Sequence, residues 1–385
     1  MKLVYIVCCF CIALPILLTG CKKDRDLKKL DALFDYISFE TDTSIRLIGS
    51  PRNRTLTNQT PFRYTDEFNG YGFPTVMALD SNHLLMAVSR YHKVTDWGTV
   101  DIVAKESQDN GKTWGEEIII QSNVGNIQTA APSLIKIKGD SIGLFFSVKH
   151  SSRSCDVYFK VSTDRGKNWG NLTKINTIDG YNTMNNNRVI MANQRIIIPV
   201  GYTSDVNQYA DRMGVFCYYS DDHGKSWSVS KTLATTIPLM EPGVVQIGKS
   251  SELLMVIRST AGRIVISRSN DLGLTWSRPV LTNLISPESP STICTLDNSD
   301  KLALIWNNNK FIDPAVRYSN RFPLTVAFSS DRGRTWEDGY NVEWLSNSDY
   351  SYPAFFQNNK KTAIVYNVAP HGSQRILTKM VDVDD

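Results

Sequence analysis

Ser107-Gln108-Asp109-Asn110-Gly111-Lys112-Thr113-Trp114 decides the fold, because the chain repeats it four more times. The other copies are Ser162-Thr-Asp164-Arg-Gly166-Lys-Asn168-Trp169 and Ser220-Asp-Asp222-His-Gly224-Lys-Ser226-Trp227. Ser269-Asn-Asp271-Leu-Gly273-Leu-Thr275-Trp276 and Ser329-Ser-Asp331-Arg-Gly333-Arg-Thr335-Trp336 complete the set. The tryptophans stand 55, 58, 49 and 60 residues apart. A near-fixed period of this length means one supersecondary unit per repeat. The chemistry of each octet is that of a hairpin turn. The Asp carboxylate accepts backbone N–H bonds, Gly supplies a positive φ, and the Trp ring packs on the sheet below. These five Asp are therefore structural and not catalytic acids.

Outside the octets run short apolar stretches bounded by turn residues. They are Leu84-Leu-Met-Ala-Val, Ile142-Gly-Leu-Phe-Phe, Arg195-Ile-Ile-Ile-Pro-Val, Leu253-Leu-Met-Val-Ile, Leu302-Ala-Leu-Ile-Trp and Thr362-Ala-Ile-Val-Tyr. Their length and boundaries read as strands. Six such runs, five leading to an octet, predict an all-β fold, a six-bladed β-propeller over residues 44–385. The last blade is expected to close with the strand near Ser44-Ile-Arg-Leu-Ile, which hides the free sheet edges.

The N-terminus carries its own signal. Lys2 precedes an apolar run ending in Leu18-Thr19-Gly20-Cys21. The run reads as a secretory leader over residues 1–20 and is short for a membrane span. Its ending resembles the bacterial lipobox, which implies cleavage before Cys21 and lipid on that thiol. Residues 21–43 then read as a lipid-attached linker, with room for a helical turn or two. The expected location is a bacterial membrane, periplasmic or at the cell surface, and the expected state is a monomer. Cys155, Cys217 and Cys294 lack metal or disulfide spacing and read as buried small residues. The five His show no ligand spacing, and serine-hydrolase, nucleotide and zinc motifs are absent. A net charge of +4, dispersed along the chain, is too small to argue for a nucleic-acid partner, and none is expected.

The octets resemble the Asp-box (BNR) repeats of the bacterial sialidase (neuraminidase) superfamily, over about residues 60–370. Such repeats also occur in non-enzymatic propellers, so the site motifs carry the functional reading. The resemblance implies three arginines on a sugar carboxylate, a Tyr nucleophile paired with a Glu, and an Asp acid/base. A neutral phenol suits an anomeric carbon that bears a carboxylate, because an anionic nucleophile would be repelled. Arginine forks match the carboxylate bidentately.

Met240-Glu241-Pro-Gly-Val-Val, followed by Leu253-Leu-Met-Val-Ile-Arg258, is similar to the segment with the Glu partner and the second arginine. Arg321-Phe-Pro-Leu-Thr-Val is similar to the third-arginine segment. Asp349-Tyr350-Ser-Tyr352-Pro is similar to the nucleophile segment, with Tyr352 the better match and Tyr350 the alternative. Asp96 falls where the acid/base Asp would be, with Asp101 an alternative further along. The first arginine is missing, because Tyr71-Gly72-Phe73-Pro74 puts Gly72 in its place. Arg90 and His92 are candidates to replace the charge. The resemblance implies an exo-acting retaining glycosidase for a terminal acidic sugar on glycans, with Asp96, Glu241 and Tyr352 catalytic. Arg90, Arg258 and Arg321 would bind the substrate, and no metal or cofactor is required. Gly72 leaves two other readings open: a non-catalytic glycan-binding propeller, and a hydrolase or lyase for another acidic sugar.

Overall fold

The computed structural model describes residues 36–208, 213–296, 300–310 and 321–383. The leader, Cys21 and most of the expected linker lie outside the described residues. What is described is an all-β propeller.

Its ladders form five sheets. The first is a four-stranded meander of Gly70–Ala78, Leu84–Tyr91, Val100–Ser107 and Ile118–Gln121. The second has ten strands. It begins with Gln128–Lys138, Ser141–Ser151 and Ser154–Ser162, and continues through Arg195–Thr203 and Gly214–Ser220. Leu239–Gln246, Leu253–Ser259, Arg263–Ser269 and Val280–Ile285 form the third sheet. Thr292–Thr295, Leu302–Asn307, Leu324–Ser329 and Thr335–Glu343 form the fourth. The fifth joins Ser348–Asn358, Lys361–Pro370 and Leu377–Asp382 to Asn58–Phe62. Five continuous sheets stand where the repeat count gives six units. The reason is local: Cys155 and Tyr181 pair in parallel and fuse two meanders into the ten-stranded sheet.

The N-terminal segment also differs from expectation. Asn58–Phe62 closes the fifth sheet, pairing Phe62 with Thr378. Arg46–Leu47, expected to close the ring, instead lies parallel to Thr335–Trp336 on the fourth sheet. Glu40–Thr41, read as linker, pairs with Val280–Leu281 on the third. These short parallel additions cap edges that would otherwise expose backbone groups.

Each octet closes through side-chain bonds. Gly111 N–H donates to Ser107 Oγ (2.8 Å), and Thr113 donates from its N–H (2.8 Å) and hydroxyl (2.6 Å) to the two Asp109 oxygens. The same bonds recur around Asp164, Asp222, Asp271 and Asp331. The residue before each Gly also has positive φ, 56–65° at Asn110, Arg165, His223, Leu272 and Arg332. Two consecutive left-handed residues match the twist of the flanking strands. The core fills the spaces between neighbouring sheets. Val256 of the third sheet, for example, clusters with Leu304, Trp306 and Trp336 of the fourth.

Candidate active site

The innermost strands of the sheets line the axis, and four of them carry the same irregularity. Register shifts fall at Gly72/Thr75, Met240/Gly243 and Ser351/Ala354, and opposite Ala131 in the second sheet. At each one a residue with positive φ precedes a proline: Phe73 (54°), Ala131 (59°), Glu241 (41°) and Tyr352 (53°). Proline cannot donate to a ladder, so it favours a bulge. A positive φ on a non-glycine residue costs energy, more so before proline. The strain is held by bonds from the surrounding sheets, as where Asn367 accepts the Phe73 N–H and Asn186 donates to the Tyr352 carbonyl.

Tyr352 is the centre of the resulting cluster. Its phenol is pushed up by burial and by Glu241, opposed by Arg321 and Arg258, and raised further by Asp96. Four of the residues expected from sequence therefore act on the fifth. The Arg321 guanidinium lies 5.5 Å from the centre of the Tyr352 ring. The Phe73 ring centre is 4.0 Å from it. Arg258 donates to Glu241 Oε2 at 2.5 Å and to Glu288 Oε1 at 3.0 Å. Burial opposes the charge on Arg258, yet Glu241, Tyr352 and Glu288 hold its pKa above the ordinary value. Asp96 sits on an exposed loop. Its backbone carbonyl accepts a 2.8 Å bond from Lys149, which is buried and whose ammonium faces the Trp97 ring at 4.9 Å. Burial lowers the pKa of Lys149, against the pull of Cys155 and Asp96.

Arg90 is not brought to this cluster. Strand alternation turns it away from Ser89, whose Oγ accepts the Ala131 N–H. Its fork is taken by Glu117 (2.8 Å) and Asp101 (3.1 Å), and it stacks 3.9 Å from the centre of the Phe68 ring. Asp101 and His92 belong to that same group. Tyr350 faces the sheet core, edge-on to Tyr366, and its phenol is pushed up to about 12 by burial and Glu343. At Gly72 the space of the missing arginine is filled. A Cβ there would meet Asn367 Nδ2 at 2.8 Å, and Asn367 Oδ1 accepts the Phe73 N–H at 2.8 Å.

The sequence reading missed Glu288, Asn367, Lys149 and Arg188. Arg188 is 2% exposed, and burial lowers its pKa to about 10 while Glu241 and Tyr352 act against that. One signal was present in the sequence. The pairs Phe73-Pro74, Ala131-Pro132, Glu241-Pro242 and Tyr352-Pro353 mark the inner strands as clearly as the octets mark the rim. Arg258 pairs with Glu241 and Glu288, and Lys149 bonds to the Asp96 carbonyl.

A repeat propeller with arginines and carboxylates around a strained tyrosine at its axis defines the class. A model of the BNR repeat-like domain matches residues 100–365, and the chain belongs to that family. A sialidase of Trypanosoma cruzi is 24% identical over a 228-residue alignment that covers 51% of this chain and 19% of that protein. The Trypanosoma rangeli sialidase superposes with a TM-score of 0.67 at 15% identity, over 85% of this chain and 59% of its own. One structure of that enzyme holds 2,3-difluorosialic acid as a covalent intermediate. NanB sialidase from Streptococcus pneumoniae superposes with a TM-score of 0.66 at 14% identity, over 84% of this chain and 70% of its own. This chain thus spans only part of the relatives' length, and the structural likeness is one of fold.

Proposed function

We propose that this chain is an exo-acting, sialidase-like glycoside hydrolase that releases a terminal acidic sugar from glycans with retention. The observation that carries this reading is Arg321 at 5.5 Å from the Tyr352 ring centre beside the Arg258–Glu241 ion pair, with Asp96 acting on the same phenol. In the first step the Tyr352 oxygen attacks the anomeric carbon and its proton passes to Glu241. Asp96 protonates the leaving glycosidic oxygen. In the second step Asp96 takes a proton from water, whose oxygen displaces the phenolate, and Glu241 returns the proton to Tyr352. The raised phenol pKa makes a partnering base necessary, since the tyrosine does not ionise unaided at neutral pH. Arg258 and Arg321 hold the acidic group. The repeat count supports reading the ten-stranded sheet as two blades, for a total of six.

Gly72 favours a second reading, in which the sugar is an acidic one other than sialic acid. Asn367 fills the position where an arginine fork would sit, so one bidentate contact is gone. On the scale of charge-assisted bonds this is worth about 2–3 kcal/mol. Fluorogenic α-sialosides and a panel of other acidic glycosides separate the readings. Release of free sialic acid supports the first; turnover only of another member supports the second. Binding across the panel with no turnover would sink both and leave a glycan-binding propeller. The leader supports export and attachment to a membrane through lipid on Cys21. Cys21→Ser should move the protein from the detergent phase to the aqueous phase on Triton X-114 partitioning, and an unchanged partition would overturn that assignment.

A further inference from the structure

The strained inner strands meet at one short segment, Asn185-Asn186-Asn187-Arg188, the turn between Tyr181–Thr183 and Ile190–Ala192 of the second sheet, buried except at the half-buried Asn187. Asn186 is fully buried. Its Nδ2 donates to the carbonyl of Pro74 (2.7 Å) and to that of Tyr352 itself (3.1 Å). Asn187 accepts a bond from Thr75 Oγ1 (3.1 Å) and donates its N–H to the Pro132 carbonyl (3.2 Å). Arg188 Nη1 donates to Thr292 Oγ1 (2.9 Å), and that hydroxyl donates to the Pro353 carbonyl (2.5 Å). The same Nη1 lies 3.0 Å from where a Cβ on Gly243 would stand, two residues after Glu241. One segment thus touches all five sheets, at or beside each of the residues Phe73, Ala131, Glu241 and Tyr352. The carbonyls on both sides of the Tyr352–Pro353 junction are held from it, one directly and one through Thr292. Its own left-handed residue, Asn187 (φ 52°), stands where the others have Phe, Ala, Glu and Tyr, and Arg188 stands where they have proline.

We propose that Asn186 and Arg188 are positioning residues of the site, holding Tyr352 and Glu241 in their strained geometry and setting a buried positive charge against them. This rests on the roles given above to Tyr352 and Glu241. Unsatisfied polar groups in a core are costly, so a segment with this many buried polar side chains is kept for its geometry. A misplacement of about 1 Å at a reacting group can cost roughly 100-fold in rate. The groups acting on the phenol are Glu241 and Asp96, which raise its pKa, and Arg321 and Arg258, which lower it. Arg188, whose pKa burial lowers to about 10 while Glu241 and Tyr352 act against that, adds a positive charge at neutral pH.

The test uses full-length protein carrying 13Cζ-tyrosine, with the Tyr352 resonance assigned by its loss in Tyr352→Phe. Arg188→Met is expected to raise the Tyr352 titration midpoint by about one pH unit, and Arg188→Lys to raise it in the same direction, because an ammonium buried there loses its charge before the phenol titrates. Asn186→Ala is expected to lower kcat about 100-fold with KM within about twofold. Thr292→Val, which keeps Arg188 and removes only the relay hydroxyl, is expected to lower kcat by about tenfold, again at constant KM, and it guards against a misfolded Arg188→Met. Folded Arg188→Met with the wild-type titration, together with Asn186→Ala and Thr292→Val at wild-type turnover, would overturn the proposal. If no sugar is turned over by the wild type, the enzyme reading fails, and the Tyr352 titration alone decides the role of Arg188.

Discussion

The rim and the axis of this propeller are built on opposite rules. At the rim, five turns repeat one hydrogen-bond scheme whose partners lie two to four residues apart. At the axis, bonds link residues from 17 positions apart, as Glu241 and Arg258, to 166, as Asn186 and Tyr352, and the four strained positions carry four different side chains. The rim scheme satisfies backbone groups locally and uses two left-handed residues in a hairpin, where they suit the twist. The axis places left-handed residues before prolines, where they are strained, and holds them by contacts from other sheets. Repetition therefore specifies the architecture, and departure from repetition specifies the site.

The largest effect expected from breaking this contrast comes from two neighbouring tyrosines on one strand. Tyr352→Phe removes the proposed nucleophile and should lower turnover by roughly three orders of magnitude or more, with the melting temperature little changed. Tyr350→Phe alters a buried packing residue and should cost about 1 kcal/mol of stability while turnover is kept. Assays of both variants on the same substrate make the comparison. Equal turnover losses in the two would show that the strand, and not the phenol at 352, is what matters.

A second substitution sharpens the account of charge at the axis. Arg258 divides its fork between Glu241 and Glu288, which leaves it less free for a substrate carboxylate. Glu288→Gln keeps an acceptor for Arg258 but removes one competing charge. KM for an acidic sugar should fall by about tenfold, with a smaller change for a neutral analogue. A rise in KM for the acidic sugar would mean that Glu288 orients Arg258 and does not compete with its ligand.

At the rim the next effect is steric. Gly333 has φ +83°, and a Cβ on it would approach Leu254 Cδ2 to 2.6 Å. Gly333→Ala therefore combines an unfavourable φ with a clash against the neighbouring sheet, and should cost about 2 kcal/mol without changing KM. A neutral result in thermal unfolding would mean that the turn relaxes at no cost and that the octet glycine is not a packing requirement.

The same contrast explains what the sequence made legible. The octets named a repeat propeller because each turn carries all its determinants within eight residues. Glu241, Arg258, Arg321 and Tyr352 were legible only through segments resembling a known family, and they do share one cluster. Arg90 matched by charge, but strand alternation gives its fork to Asp101 and Glu117. Asn186, Arg188, Glu288 and Asn367 were illegible, because their partners lie on other sheets and no local pattern marks them. The fusion of two meanders at Cys155 and Tyr181 was hidden for the same reason.

The smallest and most diffuse effect is acid lability of the rim. Thr113 bonds hold the Asp109 carboxyl down to about 2, and Asn168 bonds hold Asp164 there too. Ser226 takes Asp222 lower still. At Asp271 and Asp331 burial works the other way, but the Thr275 and Thr335 bonds outweigh it and the net shift is downward. All five bind protons less readily folded than unfolded. Their contribution is complete above the unfolded value near 3.8 and is lost as pH falls through the folded values near 2. Melting temperature should therefore drop between about pH 4 and pH 2, and the drop should become shallower as Asp109→Asn, Asp164→Asn and Asp222→Asn are combined. These carboxylates are half-buried or exposed at the rim, so salt should blunt the effect. An acid transition of unchanged steepness in the triple variant would move the acid-sensitive groups from the rim to the carboxylates at the axis.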